Sequence, residues 1–186
     1  MSPAEASPPG EPLLEEVRRQ VALGPRFPGS EAHRSLSREL AERLAAYAGD
    51  TRIQRFQVRL PAGTVECANL TGVFPGPSPA LLLGTHFDTR LIADRETDPR
   101  LRERPIPGAN DGGSGTAVLA SLLPALARLS AEGALEREVR VVFFDAEDVG
   151  GIGGLPFSLG ARKYAREPPL PPPEEVLVLD MVGGSS

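Results

Sequence analysis

Residues able to do chemistry gather at four places in this sequence. They are Thr85-His86-Phe87-Asp88, the glycine-rich turn Gly108 to Gly115 with Asp111 inside it, Asp145-Ala146-Glu147-Asp148, and Asp180. One imidazole and several carboxylates brought to one place make a site for a divalent cation, and zinc suits that donor set best. Crowded carboxylates without a cation would repel and raise one another's pKa, so a bound ion is the natural resolution. Catalytic zinc takes three protein ligands and leaves a position open, which His86, Asp111 and Asp148 could supply alone. Asp88, two residues past His86, is placed to accept the ring's other N–H. Glu147 and Asp148 are neighbours and cannot both bind in the same way. One as ligand and the other as general base is the simplest division.

Each cluster also has a plain structural reading. A lone histidine can cap a strand, adjacent acids can be a solvated loop, and Asn110 to Gly115 can be a tight turn before a helix. A phosphate loop is set aside, because no Lys-Ser/Thr follows the glycines and Asp111 would repel an anion. A Ser114–His86 triad lacks the G-x-S-x-G elbow. His33 is expected on a helix surface, with no role.

The metal reading gains weight from the elements that must position these residues. Ala80 to Leu83, Val139 to Phe144 and Val176 to Leu179 are short and almost wholly apolar, as strands covered on both faces are. Each runs straight into one of the polar clusters, and ligands of open α/β sheets bind at the carboxyl ends of the strands. Between the first two lies a helix over Ser114 to Leu129, with Val118, Leu119, Leu122, Leu126 and Leu129 on one stripe and Pro124 expected to kink it. A shorter helix over Leu155 to Ala165 leads to the third strand, after the stiff connection Pro168 to Pro173. Upstream, a helix over Leu13 to Leu23 is broken at Gly24. Ser30 then caps a second helix carrying Leu36, Leu40 and Leu44 at i+4 spacing. Ile53 to Leu60 and Thr64 to Phe74 read as an antiparallel pair about Pro61-Ala62-Gly63. The expected fold is therefore α/β in three layers: a mostly parallel central sheet, an antiparallel N-terminal strand pair, and helices on both faces.

Composition fits one such unit. The 186 residues, 40% of them hydrophobic, can bury one core, expected over residues 13–186 behind a disordered lead-in at 1–12. A net charge of -5 offers no attraction to nucleic acid or anionic lipid. One cysteine, Cys67, excludes an internal disulfide framework. No apolar run approaches a membrane span, and no signal peptide is visible at Met1 to Gly10. The expected location is the cytoplasm, or the periplasm or exterior if a leader has been removed.

At the clustered residues the sequence resembles the zinc aminopeptidase and glutaminyl cyclase family, from about Leu13 to the last residue. The motifs are Gly24 to Ser30 (Gly-Pro-Arg-Phe-Pro-Gly-Ser), Gly84 to Arg90, Pro105 to Gly115, Phe143 to Asp148, Phe157 to Ala165 and Leu177 to Gly183. In the aminopeptidase branch the resemblance implies two zinc ions bridged by Asp111. His86 and Asp180 complete one site, Asp148 and a later histidine the other, and Glu147 is the general base. In the animal cyclase branch it implies one zinc held by Asp111, Asp148 and the later histidine. There Glu147 shuttles a proton from the substrate α-amine to departing ammonia, and His86 and Asp180 stand behind the ligands. Asp88-Thr89-Arg90, the charged insert Leu91 to Arg104 with Asp94, and Leu159 to Tyr164 resemble bacterial members grouped with glutaminyl cyclases. Asp148 stands where many relatives have glutamate.

The expected activity is thus zinc-dependent and directed at the free amino end of peptides or proteins: pyroglutamate formation with ammonia release. The alternatives are N-terminal peptide-bond hydrolysis or an inactive, metal-poor binding domain of the same fold. The chain's two histidines are His33 and His86. Since the family places a ligand histidine beyond the position of Asp180, the sequence is expected to be C-terminally incomplete as an enzyme, with the reading frame continuing to that histidine.

Overall fold

The structure, a computed structural model, describes residues 10–184. Residues 1–9, most of the expected lead-in, and residues 185–186 lie outside the described residues. Helix α1 (Glu11–Ala22) begins two residues before its expected start, since Pro12 sits in the first turn, where a missing N–H loses no helical bond. Helix α2 (Glu31–Tyr47) starts at Ser30, whose hydroxyl accepts the His33 N–H at 3.0 Å. Strands β1 (Asp50–Leu60) and β2 (Gly63–Phe74) form the expected hairpin, closing at the Leu60–Gly63 pair. Then come β3 (Leu81–His86), α3 (Gly113–Ala131), β4 (Val139–Phe144), α4 (Leu159–Arg166) and β5 (Glu175–Val178).

The sheet runs β1-β2-β4-β3-β5. β4 pairs antiparallel with β2, while β3 lies parallel to both β4 and β5. From β3 the chain crosses through α3 to β4 on one side, and β5 lies on the other. The carboxyl end of β3 is thus a topological switch point, where neighbouring connections diverge and leave a crevice. β3 and β4 are in register at their ends, His86 opposite Phe144, so their trailing residues emerge side by side.

The main core lies on one face. Leu36, Leu40 and Leu44 of α2 and Leu119 and Leu123 of α3 pack on Leu70, Phe74, Val141 and Phe143. On the other face, Tyr164 of α4 covers Leu82 and Val142. Adjacent β4 residues therefore point to opposite covered faces, which is why that strand reads as a continuous apolar run. α3 runs from Gly113 to Ala131 with Pro124, the expected site of a kink, inside it. Among the described residues it is the helix long and apolar enough to cross a membrane, at mean hydropathy 1.3. Its Leu119 and Leu123 serve the core instead.

Two expectations are corrected. α4 begins four residues later than expected, because Leu155, which precedes Pro156, is extended and Ser158 takes a left-handed conformation. β5 was expected to be buried on both faces, yet Val176, Leu177 and Val178 are exposed. Among the described residues it pairs with β3 alone, at the end of the strand order.

Because Leu40 is fully enclosed between α2 and the sheet, its truncation leaves a cavity. Leu40→Ala is expected to lower unfolding free energy by about 2–5 kcal/mol. Urea denaturation checks this; a loss near zero would mean the α2 face is not packed as described.

Candidate metal centre

The ends of β3, β4 and β5 and the start of α3 converge on one rim. Asp111 Oδ1 lies 3.0 Å and Asp180 Oδ1 3.4 Å from His86 Nε2, the ring being buried and the two carboxylates partly exposed. These three residues offer ligand atoms that all lie within 4.8 Å of one another. Gly112 makes the approach of Asp111 possible. Its φ of +74° favours glycine, and a Cβ there would stand 2.3 Å from the Asp88 carbonyl oxygen.

Asp88 lies behind the ring, fully buried, with Oδ1 3.4 Å from His86 Nδ1. It also accepts the backbone N–H groups of Glu147 at 2.9 Å and Asp148 at 3.0 Å. The residue expected to orient the imidazole therefore also anchors the acidic turn after β4.

The donor set fits a cation. Both ring nitrogens of His86 are buried without an aligned hydrogen-bond partner, although carboxylate oxygens stand close to each. Ligand atoms around tetrahedral zinc, with bonds of about 2.0 Å, sit about 3.3 Å apart. The separations of 3.0 and 3.4 Å match that spacing. Burial works to lower the His86 pKa, but Asp111, Asp88 and Glu147 outweigh it and hold it up to about 11. A field that strongly favours a proton on this ring also favours a metal cation beside it.

Asp148 is set apart from this trio. Its carboxylate pairs with Arg90 Nη1 at 3.1 Å, and Arg90 also holds Asp94 at 2.6 Å. Burial, then the negative charges of Asp111 and Asp88, push its pKa up to about 6 despite Arg90. Of the expected His86–Asp111–Asp148 triplet, the structure groups His86 and Asp111 closely and puts Asp180 third. Asp148 shares with Asp111, Glu147, Asp180, Arg90 and Phe157 a cavity of about 510 Å³. Glu147 accepts a hydrogen bond from Ser158 Oγ at 2.7 Å.

His33 was expected on the surface, but it is 3% exposed. Its Nε2 lies 2.7 Å from Asp145 Oδ1, and the ring stacks on Phe87 at 5.5 Å. The apolar helix face turned that position inward, and a polar ring is tolerated there because Asp145 satisfies it. Cys67 joins His33 and Asp145 in a second buried trio. There burial pushes the thiol pKa far up and Asp145 already occupies the imidazole, so the trio does not present a free ligand set.

Sequence reasoning also missed Arg26. It is wholly buried, with its guanidinium donating to the carbonyls of Phe87, Pro107 and Gly108. Burial lowers its pKa to about 10, against the opposing pull of Asp88. Arg26 ties the segment after β3 to the segment before Asp111. Its signal was present in the Gly24 to Ser30 motif, where an arginine sits between two prolines at a helix break.

Fold and rim together define the class: an α/β domain with a metal-type site at the carboxyl ends of its parallel strands. The chain belongs to peptidase family M28, whose family model matches residues 69–186. It is similar in structure to a Zn-dependent exopeptidase from Parabacteroides distasonis, with 32% identity over 97% of this chain and 64% of that one, TM-score 0.81. It is also similar to the glutaminyl cyclase of Tannerella forsythia, with 33% identity over 95% and 62%, TM-score 0.80. A leucine aminopeptidase precursor from Bacteroides thetaiotaomicron shares 28% identity over 94% and 63%, TM-score 0.79. The chain thus spans a little under two thirds of the length of these relatives. No curated protein matches it.

The His33–Asp145 pair makes stability depend on pH. Burial lowers the His33 pKa, but Asp145 outweighs that and raises it. Asp145 is itself raised, chiefly by burial. The native pair therefore holds its proton more tightly than the unfolded chain does. Its contribution is fully present below the ordinary imidazole pKa of about 6.5 and is lost as pH rises through the raised native value. The gap in melting temperature between the protein and a His33→Gln/Asp145→Asn variant should be wider at pH 6 than at pH 9. A gap independent of pH would contradict this.

Proposed function

We propose that the protein is a zinc-dependent enzyme acting on the free amino terminus of peptides, and that its reaction is the glutaminyl cyclase type: pyroglutamate formation with release of ammonia. The observation that carries the metalloenzyme reading is the juxtaposition of His86, Asp111 and Asp180 with a further carboxylate, Glu147, which lines two cavities beside them. A purely structural metal would need no such base.

When bound, zinc would polarise the substrate carbonyl as a Lewis acid. His86, Asp111, Asp148 and Asp180 are the residues that would hold it. Glu147 would take a proton from the substrate α-amine and return it to the departing ammonia. The acidic rim would attract the ammonium form of a peptide amino terminus.

The cyclase branch is supported by the segment Asp88 to Asp94. Arg90 bridges Asp94 and Asp148, so the charged insert becomes a wall of the cavity. A second reading, aminopeptidase hydrolysis, has its own support. Asp111 stands with His86 and Asp180 in one trio of ligand atoms, and its charge also raises the Asp148 pKa, so it lies near the residues of both expected ion sites.

Two experiments test these roles. In zinc-loaded protein, Glu147→Gln should lower turnover by about 10²–10⁴-fold with zinc retained, whereas Asp111→Ala should lose zinc. Full activity of the Glu147 variant would remove it as the base. Gln-initiated peptides should release ammonia and become blocked at the amino end with every peptide bond intact. Free leucine or alanine released from Leu- or Ala-initiated peptides would decide for the aminopeptidase.

A further inference from the structure

The turn that carries Glu147 is gripped by the start of α4. The N–H groups of Ser158, Leu159 and Gly160 donate in succession to the carbonyls of Glu147, Ala146 and Asp145, at 2.9, 3.0 and 3.0 Å. α4 has no side-chain N-cap, so its first donors, which no helical carbonyl can satisfy, are spent on this turn. Gly160 permits the approach, because a Cβ there would stand 2.2 Å from the Asp145 carbonyl oxygen.

Ser158 adds a side-chain contact to that backbone ladder. Its hydroxyl donates to Glu147 Oε1 at 2.7 Å, and its φ of +59° lies in the left-handed region. Glycine adopts that conformation without strain and serine does not. A strained serine whose hydroxyl reaches a carboxylate beside a metal-type site is the pattern expected where function keeps the residue in place. Ser158 also lines a cavity of about 250 Å³ with His86, Glu147 and Asp180.

We infer that Ser158 is a positioning residue for Glu147: its hydroxyl occupies Oε1 and leaves Oε2 as the oxygen that handles the proton. This rests on the reading of Glu147 as the base. Without the hydroxyl the carboxylate can rotate, and the productive orientation is populated for only part of the time.

The test uses zinc-loaded full-length protein and Ser158→Gly, Ser158→Ala, Glu147→Gln and the Glu147→Gln/Ser158→Gly double variant. Turnover is measured on the Gln- or Leu-initiated peptide the protein accepts. Ser158→Gly relieves the backbone while removing the hydroxyl, so it should melt no lower than the parent and bind the same zinc per chain. Its kcat should still fall about 10–100-fold, the worth of one hydrogen bond to a charged group, with KM little changed. Ser158→Ala should show the same loss of kcat. The double variant should be no slower than Glu147→Gln alone. Full kcat in Ser158→Gly beside an impaired Glu147→Gln would overturn the role of Ser158 and leave the base standing. Full activity of Glu147→Gln would overturn both. A loss of kcat matched by lost zinc or a lowered melting temperature would make Ser158 structural only.

Discussion

The site depends on one buried carboxylate, Asp88. Isolating a charged carboxylate from water is expensive unless it is paired and hydrogen-bonded. Burial alone would raise its pKa. His86 and the N–H groups of Glu147 and Asp148 more than offset this and hold it below the usual carboxylate range. Those partners belong to the proposed site: the imidazole at the end of β3 and the two acids after β4. The free energy that keeps Asp88 ionised therefore also fixes the spacing between imidazole and acids. Removing its charge would release both at once.

Around that anchor the fold supplies several independent ties. Arg26 clasps the carbonyls of Phe87, Pro107 and Gly108, so the β3 end and the approach to Asp111 cannot drift apart. His33 and the Ala68 N–H hold the carboxylate of Asp145, at the base of the acidic turn. α4 grips the carbonyls of the same turn from the opposite face of the sheet. Asp180 follows β5, whose Val176, Leu177 and Val178 are exposed among the described residues, whereas His86 is buried. Preorganisation of this kind is what lets a few carboxylates tolerate close approach before a cation arrives.

Much of this could be read from the residues alone, for identifiable reasons. Strands buried on two faces give apolar runs, and each run here ended in a polar cluster, so topology placed His86, Asp111, Glu147, Asp148 and Asp180 on one rim. Helix α2 declared itself through Ser30 and its leucines. What escaped were residues whose partners are remote in sequence. His33 meets Asp145 across 112 residues and Arg26 meets Gly108 across 82, and no local spacing announces such pairs. The pairing of Asp148 with Arg90 is also tertiary, so spacing could not rank Asp148 against Asp180 as the nearer neighbour of His86. β5 has the composition of a central strand, and among the described residues it pairs with β3 alone.

Two trios of metal-type donors occur among the described residues, His86–Asp111–Asp180 on the rim and His33–Cys67–Asp145 within the fold. Chemistry is proposed for the first and a structural role for the second. Anomalous diffraction at the zinc edge, from crystals of zinc-loaded protein, separates them directly. The account predicts an anomalous peak within bonding distance of the Asp111 carboxylate and none at Cys67. A peak at His33–Cys67–Asp145, with the rim empty at saturating zinc, would contradict it.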